Sequence, residues 1–259
     1  MLSTLALCKR YGAFQAVAEL SLGVRAGELY ALLGPNGAGK TTTIKMLMGV
    51  LQPTSGSARI CDLDCFAQRP EVMRHVGYLP DEPVFYDYLR GREILRFVGE
   101  MHGFSPADIR ARSAPLTARF GLDEALEEFA VNYSRGMKKK LALVCALLHE
   151  PEVLILDEPT NGLDPYATRE LHELMRRQCA AGRTVFFSTH LLDQAERLCH
   201  RVGIVYQGRL AAEGTMEELR ARRAAGGSLE EIFFSVTGGE PLDEPPAPPA
   251  PAPAEPGRA

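Results

Sequence analysis

The chain has no tryptophan, no long apolar run, no paired C-x-x-C cysteines and no surplus of positive charge. Each absence excludes something. The longest uninterrupted apolar stretch, Leu141 to Leu148, is far shorter than the roughly 20 residues a membrane-spanning helix needs. The N-terminus lacks a basic region followed by a long apolar segment, so no secretory signal is expected. A net charge of −4, from 29 Lys+Arg against 33 Asp+Glu, argues against a broad nucleic-acid footprint, although a local basic patch is compatible with it. The six cysteines, at positions 8, 61, 65, 145, 179 and 199, are scattered. Cys61 and Cys65 are only loosely spaced for a metal clip and no second ligand pair follows, so free thiols in a reducing compartment are expected. No internal repeat is visible. The length of 259 residues allows one large domain or two small ones.

What is present is a phosphate-binding loop. Gly34-Pro35-Asn36-Gly37-Ala38-Gly39-Lys40-Thr41 fits G-x-x-x-x-G-K-[ST]. It follows a buried-strand pattern, Glu28 to Leu33, and precedes a helical one, Thr41 to Leu51. Glycines let the backbone curl around phosphates without a Cβ in the way. Successive N–H groups and the helix N-terminus then face the anion. Lys40 can reach the β- and γ-phosphates, and the Thr41 hydroxyl can bind Mg²⁺.

The remaining pattern places this loop in an α/β chain. The first thirty residues alternate like strands of a small antiparallel sheet, and Ala58–Cys61 and His75–Leu79 read as further strands. From Leu89 to Leu148 apolar residues recur at three- and four-residue spacing, which predicts a helical insertion. Val153–Leu156 and Thr184–Phe187 are continuous apolar strands of the kind found in a parallel sheet covered on both faces. Between them Asp164 suits an N-cap, Pro165 the first helical position and Gly182 the stop. Val202 to Leu210 reads as a hairpin turning at Gln207-Gly208. Short amphipathic helices are expected near Met216–Arg223 and Leu229–Phe234. From Glu240 onward Pro, Ala and acid dominate, and a disordered or polyproline-like tail is expected.

The strand Val153–Leu156 ends in Asp157-Glu158. In a P-loop enzyme an Asp at a strand end holds Mg²⁺, and a second carboxylate beside it can orient or deprotonate an attacking water. Asp157-Glu158-Pro159-Thr160-Asn161-Gly162-Leu163-Asp164-Pro165, after the P-loop and before Ser188-Thr189-His190, resembles the ATP-binding subunit of an ABC transporter. The resemblance covers about residues 1–237, with a helical subdomain at about 84–149 and a separate tail at 238–259. It implies a P-loop NTPase cassette: a mixed-sheet core with an N-terminal antiparallel β subdomain and a helical insertion.

The resemblance also implies roles. ATP is expected on Tyr11, which stacks on adenine, and on Gly34, Pro35, Asn36, Gly37, Ala38, Gly39, Lys40, Thr41 and Thr42. The alternative for Tyr11 is a surface or core tyrosine, because aromatics pack well anywhere. Glu158 matches the catalytic carboxylate, aided by Lys40, and His190 the histidine that senses the γ-phosphate. Thr41, Asp157 and Asp81 are the candidate Mg²⁺ ligands. Asp164 matches the residue that couples two sites across a dimer, and it can also cap its helix. Asn132 to Lys140 occupies the place of the family signature, of which Ser134 and Gly136 survive; in the family this element contacts the ATP of the opposite subunit. Arg135 adds a phosphate contact or points to solvent. Lys138–Lys140 reads as a solvated helix face. Asp81 stands where the family has Gln; Asp is shorter and charged, so it either contacts the metal or remains an acidic loop residue.

The implied function is an ATPase that closes head-to-tail with a second copy, or with a paralogous subunit, around two ATP·Mg²⁺. It would power a separately encoded membrane permease, in the direction of export, from the cytoplasmic face of the membrane. No nucleic acid is expected. Two other readings are an ABC-type switch regulating a non-transport assembly and a non-hydrolysing member of an asymmetric pair.

Overall fold

The computed structural model describes residues 1–221 and 228–238. The Pro- and Ala-rich tail and the end of the Met216–Arg223 segment lie outside the described residues. In chain order the elements are β1 (Leu2–Tyr11), β2 (Phe14–Val24), β3 (Leu29–Leu33), α1 (Lys40–Leu47), β4 (Ser55–Ile60), β5 (Leu63–Asp64), α2 (Arg69–His75), β6 (Val76–Leu79), α3 (Gly91–Met101), α4 (Pro106–Phe120), α5 (Arg135–Leu147), β7 (Val153–Asp157), α6 (Pro165–Ala180), β8 (Thr184–Thr189), α7 (Leu192–Leu198), β9 (Arg201–Tyr206), β10 (Arg209–Gly214), α8 (Met216–Ala221) and α9 (Leu229–Thr237).

These form an α/β structure with two sheets. One has the order β2-β1-β4-β5 and the other β10-β9-β3-β8-β7-β6. The first sheet is antiparallel. In the second, β3, β6, β7, β8 and β9 run parallel and β10 returns antiparallel at one edge.

Alternation explains why Leu29–Leu33, Val153–Leu156 and 185–187 are apolar at every position. Leu29, Ala31, Leu33, Leu154, Leu156, Val185 and Phe187 face one hydrophobic cluster, with α3 to α6. Tyr30, Leu32, Val153, Ile155 and Phe186 face the other, with α1 and the antiparallel sheet. A strand buried on both faces leaves no place for a solvated side chain. Each fully buried large aliphatic or Phe side chain contributes on the order of 1.5–3 kcal/mol. Tyr30 and Phe186 stack across adjacent strands at 5.6 Å, a cross-strand pair that fixes register.

Helix ends follow the residues. Asp164 caps α6, its Oδ1 accepting from Ala167 N at 2.8 Å, with Pro165 at the first helical position. Gly182 follows with φ of 81°, the left-handed conformation that suits a helix stop. The Gln207-Gly208 turn has φ of 48° and 77°, both positive as a tight β9–β10 hairpin requires. The predicted strand at His75 is shorter than expected: His75 closes α2, and β6 begins at Val76.

The sheet's geometry seats the P-loop. A Cβ on Gly34 would lie 2.4 Å from the Val205 carbonyl oxygen, and one on Gly39 (φ 105°) would lie 2.6 Å from that of Ala16. The loop is thus wedged between β9 and β2, and only glycine fits at either contact. No disulfide joins any of the six cysteines. No described helix is long and apolar enough to cross a membrane.

Candidate nucleotide site

The P-loop leaves the carboxyl end of β3, where parallel α/β sheets bind ligands. Gly37 and Gly39 both have positive φ (81° and 105°). α1 starts at Lys40, so its free N–H groups open toward the loop. Around the loop lies a cleft of about 350 Å³, lined by Phe14, Ala16, Pro35, Asn36, Gly37, Gly39, Lys40, Thr41, Thr42, Asp81, Glu158, Asn161 and His190. Residues from five separate parts of the sequence meet here. Gly34 and Ala38 lie beneath the cleft and shape the loop; Ala38 N donates to the Pro35 carbonyl at 3.2 Å.

Lys40 is almost fully buried. Its Nζ donates to the carbonyls of Gly34 (2.7 Å) and Pro35 (3.3 Å) and lies 3.2 Å from Glu158 Oε1. His190 Nδ1 lies 2.9 Å from Glu158 Oε2. One carboxylate therefore faces the Lys40 ammonium at one oxygen and the His190 ring at the other. Despite the ion pair, Oε1 of Glu158 takes no aligned hydrogen bond, which leaves a buried acceptor facing the cleft. Glu158 holds φ of 43°, a costly conformation for a residue with a Cβ, and such strain gathers at functional sites.

Behind Glu158, Ser188 at the end of β8 holds the pair of acids. Its hydroxyl donates to Asp157 Oδ1 at 2.5 Å and accepts from Glu158 N at 3.0 Å. Burial pushes the Asp157 carboxyl upward, while hydrogen bonds from Ser188 and Thr41 pull it back. The Thr41 hydroxyl and the Asp157 carboxylate are thus neighbours, a pair of hard oxygens of the type Mg²⁺ accepts. The glycine cradle, the buried Lys40, the orphaned Glu158 oxygen and this oxygen pair fit a nucleotide triphosphate with its metal.

Other predicted residues fall elsewhere. Tyr11 is half exposed beside the β1–β2 turn, with Lys9 Nζ 5.3 Å from its ring centroid. Its cross-strand partner Phe14, rather than Tyr11, lines the cleft. Phe14 was not singled out by sequence reasoning, although it sits one tight turn from Tyr11. Ser134 caps α5, its hydroxyl accepting from Met137 N at 3.2 Å. Gly136 permits a close backbone approach, and its neighbour is Gly162: an added Cβ would meet the Gly162 carbonyl oxygen at 2.8 Å. Neither Ser134 nor Gly136 lines the cleft of its own chain. Arg135 is largely exposed, and its guanidinium lies 3.4 Å from Glu82 and 3.8 Å from Asp81. Asp164 adds an ion pair with Lys140 at 3.0 Å to its cap. The Ala167 N–H and Lys140 hold its carboxyl below the ordinary carboxylate range.

The solvated face expected at Lys138–Lys140 needs correction. Lys139 is 1% exposed. Its Nζ donates to the carbonyls of Glu158 (2.6 Å) and Asn161 (3.1 Å) and to Asp81 Oδ1 (3.3 Å). Asn161 Nδ2 also donates to Asp81 Oδ1 at 3.3 Å. A run of three lysines carries no sign that one of them turns inward, since its partners come from segments far along the chain.

The fold and site define a P-loop nucleotide-binding cassette with an adjacent acid pair and histidine. Residues 17–161 match the model of the ABC transporter family, and the chain belongs to that family. It is 38% identical over 218 residues to the probable multidrug ABC transporter ATP-binding protein YbhF of Escherichia coli K12, a match covering 84% of this chain and 38% of that protein. It is 41% identical over 226 residues to the Nod factor export ATP-binding protein I of Paraburkholderia xenovorans, covering 87% of this chain and 74% of that one. Among solved structures, an ATP-binding subunit of an ABC transporter superposes with a TM-score of 0.87 at 37% identity, covering 92% of this chain and 99% of the other. This chain thus spans well under half the length of the Escherichia coli relative and about three quarters of the Paraburkholderia one.

Proposed function

We propose that the chain binds and hydrolyses ATP as the energising subunit of a membrane exporter. It would work as a head-to-tail pair with a second copy or a paralogous subunit, held at the cytoplasmic face of the membrane by a separately encoded permease. The observation that carries the reading is Glu158, with Lys40 at one carboxylate oxygen and His190 at the other. The export direction is supported by the Paraburkholderia relative, whose name gives export as its role.

Lys40 and the P-loop N–H groups bind the phosphates, and the Tyr11–Phe14 hairpin end carries the adenine. Thr41 and Asp157, with Asp81 near them, would hold Mg²⁺, which when bound neutralises phosphate charge. Phosphate oxygens compete with Glu158 for Lys40 and His190. Once relieved of both side chains, Glu158 is free to accept a proton from water at its cleft-facing oxygen. His190 then binds the terminal phosphate and reports its presence. Ser134 and Gly136 lie outside their own cleft, consistent with service to the ATP held by the partner, where the α5 N-terminus supplies partial positive charge. Asp164 would couple the two sites.

The test is nucleotide binding and turnover by the purified chain. Lys40→Ala is expected to weaken ATP binding more than about 100-fold, since a buried charge-assisted contact to phosphate is lost. Unchanged nucleotide affinity in that variant would contradict the reading.

A further inference from the structure

Lys139 is a buried cation that the proposed chemistry leaves unused. Its ammonium joins three parts of the chain: α5, which carries it; the turn after β7, through the Glu158 and Asn161 carbonyls; and the loop after β6, through Asp81. Asn161 tightens the junction by donating to the same Asp81 oxygen and by hydrogen bonding its own N–H to the Glu158 carbonyl at 3.2 Å. A buried lysine is tolerated only where its donors are matched, and here all three N–H donors have oxygen partners within 3.3 Å.

The placement matters because Glu158 holds a strained backbone, φ 43°. Such a conformation persists only where the surroundings over-determine it. Ser188 grips the Glu158 N–H from one side, and Lys139 grips its carbonyl from the other at 2.6 Å. We infer that Lys139 is a positioning residue that sets the aim of Glu158, with Asp81 as its counter-ion, and so ties the signature helix to the hydrolytic carboxylate. Asp81 then has a role independent of metal binding: it balances the charge that holds the turn. The ammonium thus links α5 to the Glu158 backbone directly, beside the packing of Gly136 on Gly162, and without passing through the nucleotide.

The inference rests on the hydrolytic reading above, and the experiment separates the two. The full chain is compared as wild type, K139M, K139R and K139M/D81N. Binding of a fluorescent ATP analogue, steady-state turnover and amide exchange at residues 158–161 are measured. K139M is expected to lower kcat at least about tenfold with nucleotide affinity within about threefold, because a small misplacement of a catalytic group is costly while the P-loop is untouched. Amide exchange at Asn161 should quicken in the nucleotide-free chain. K139R should recover a large part of kcat, and K139M/D81N should exceed K139M because the carboxylate that has lost its buried counter-ion no longer adds negative charge beside Asp157 and Glu158. Should K139M fail to fold, K139R and K139M/D81N carry the comparison. Wild-type turnover and exchange in K139M would overturn the inference, as would loss of affinity and kcat together without rescue by arginine. A wild-type chain that binds no nucleotide would instead contradict the functional reading, while the exchange data would still report on Lys139.

Discussion

Glu158 illustrates how much one residue can be asked to hold. Its carboxylate meets Lys40 and His190, its N–H meets Ser188 and its carbonyl meets Lys139. Replacing the side chain with Gln keeps shape and hydrogen bonding but removes the base, so turnover is expected to fall at least about 100-fold with ATP binding retained. A phosphate-release assay beside a binding titration checks both halves. A second residue-scale prediction concerns pH. Burial, aided by the neighbouring His102, pushes the His149 imidazole down to about 4. The two rings stack 4.0 Å apart, and His149 Nε2 lies 3.1 Å from the Val76 carbonyl. Its folded value is depressed, so between the ordinary histidine range and pH 4 the unfolded chain takes up a proton that the folded chain refuses. Stability should therefore fall as pH drops from about 6.5 toward 4, by about 1–2 kcal/mol after allowing for solvent at the ring, and be unaffected by this group above that window. His149→Gln should flatten this part of the profile, seen as a smaller difference in Tm between pH 7 and pH 5.

At the scale of elements, strong local chemistry was legible and inward-turned polar groups were not. The P-loop, the acid-tipped β7, the Asp164 cap and the Gln207-Gly208 turn each follow from a residue type with one dominant conformational use. α2 escaped the sequence because Val72 is its only buried residue, too little for a periodic signal. Lys139 escaped for a deeper reason: its burial is decided by carbonyls from another segment, which no charge pattern encodes. Ser188 was visible only as part of Ser-Thr-His, and its hold on Asp157 depends on β7 and β8 being neighbours. The contact between α5 and the turn after β7 is tight enough to test. Gly136→Ala would force a methyl to 2.8 Å from the Gly162 carbonyl oxygen. Backbone must then shift, at a cost of about 1–3 kcal/mol. Thermal unfolding should show a lowered Tm, whereas alanine at an uncrowded helical glycine would raise it.

At the scale of the whole molecule, the site is divided by the fold. The P-loop, acid pair and histidine gather at the carboxyl ends of the parallel strands, while Ser134 caps α5 and Gly136 sits in its first turn, outside that cleft. A single copy therefore holds phosphate-binding machinery in one place and an unused helix N-terminus in another. Two copies arranged head-to-tail would bring each N-terminus to the other's nucleotide. Such a pairing makes the mass of the protein depend on nucleotide. The most direct measurement is light scattering of the purified Glu158→Gln chain with and without ATP and Mg²⁺. ATP, and not ADP, is expected to convert the 28.3 kDa chain to twice that mass, and Ser134→Ala with Gly136→Trp is expected to abolish the conversion. A chain that binds ATP tightly yet keeps its single mass at every nucleotide concentration would contradict the head-to-tail pairing.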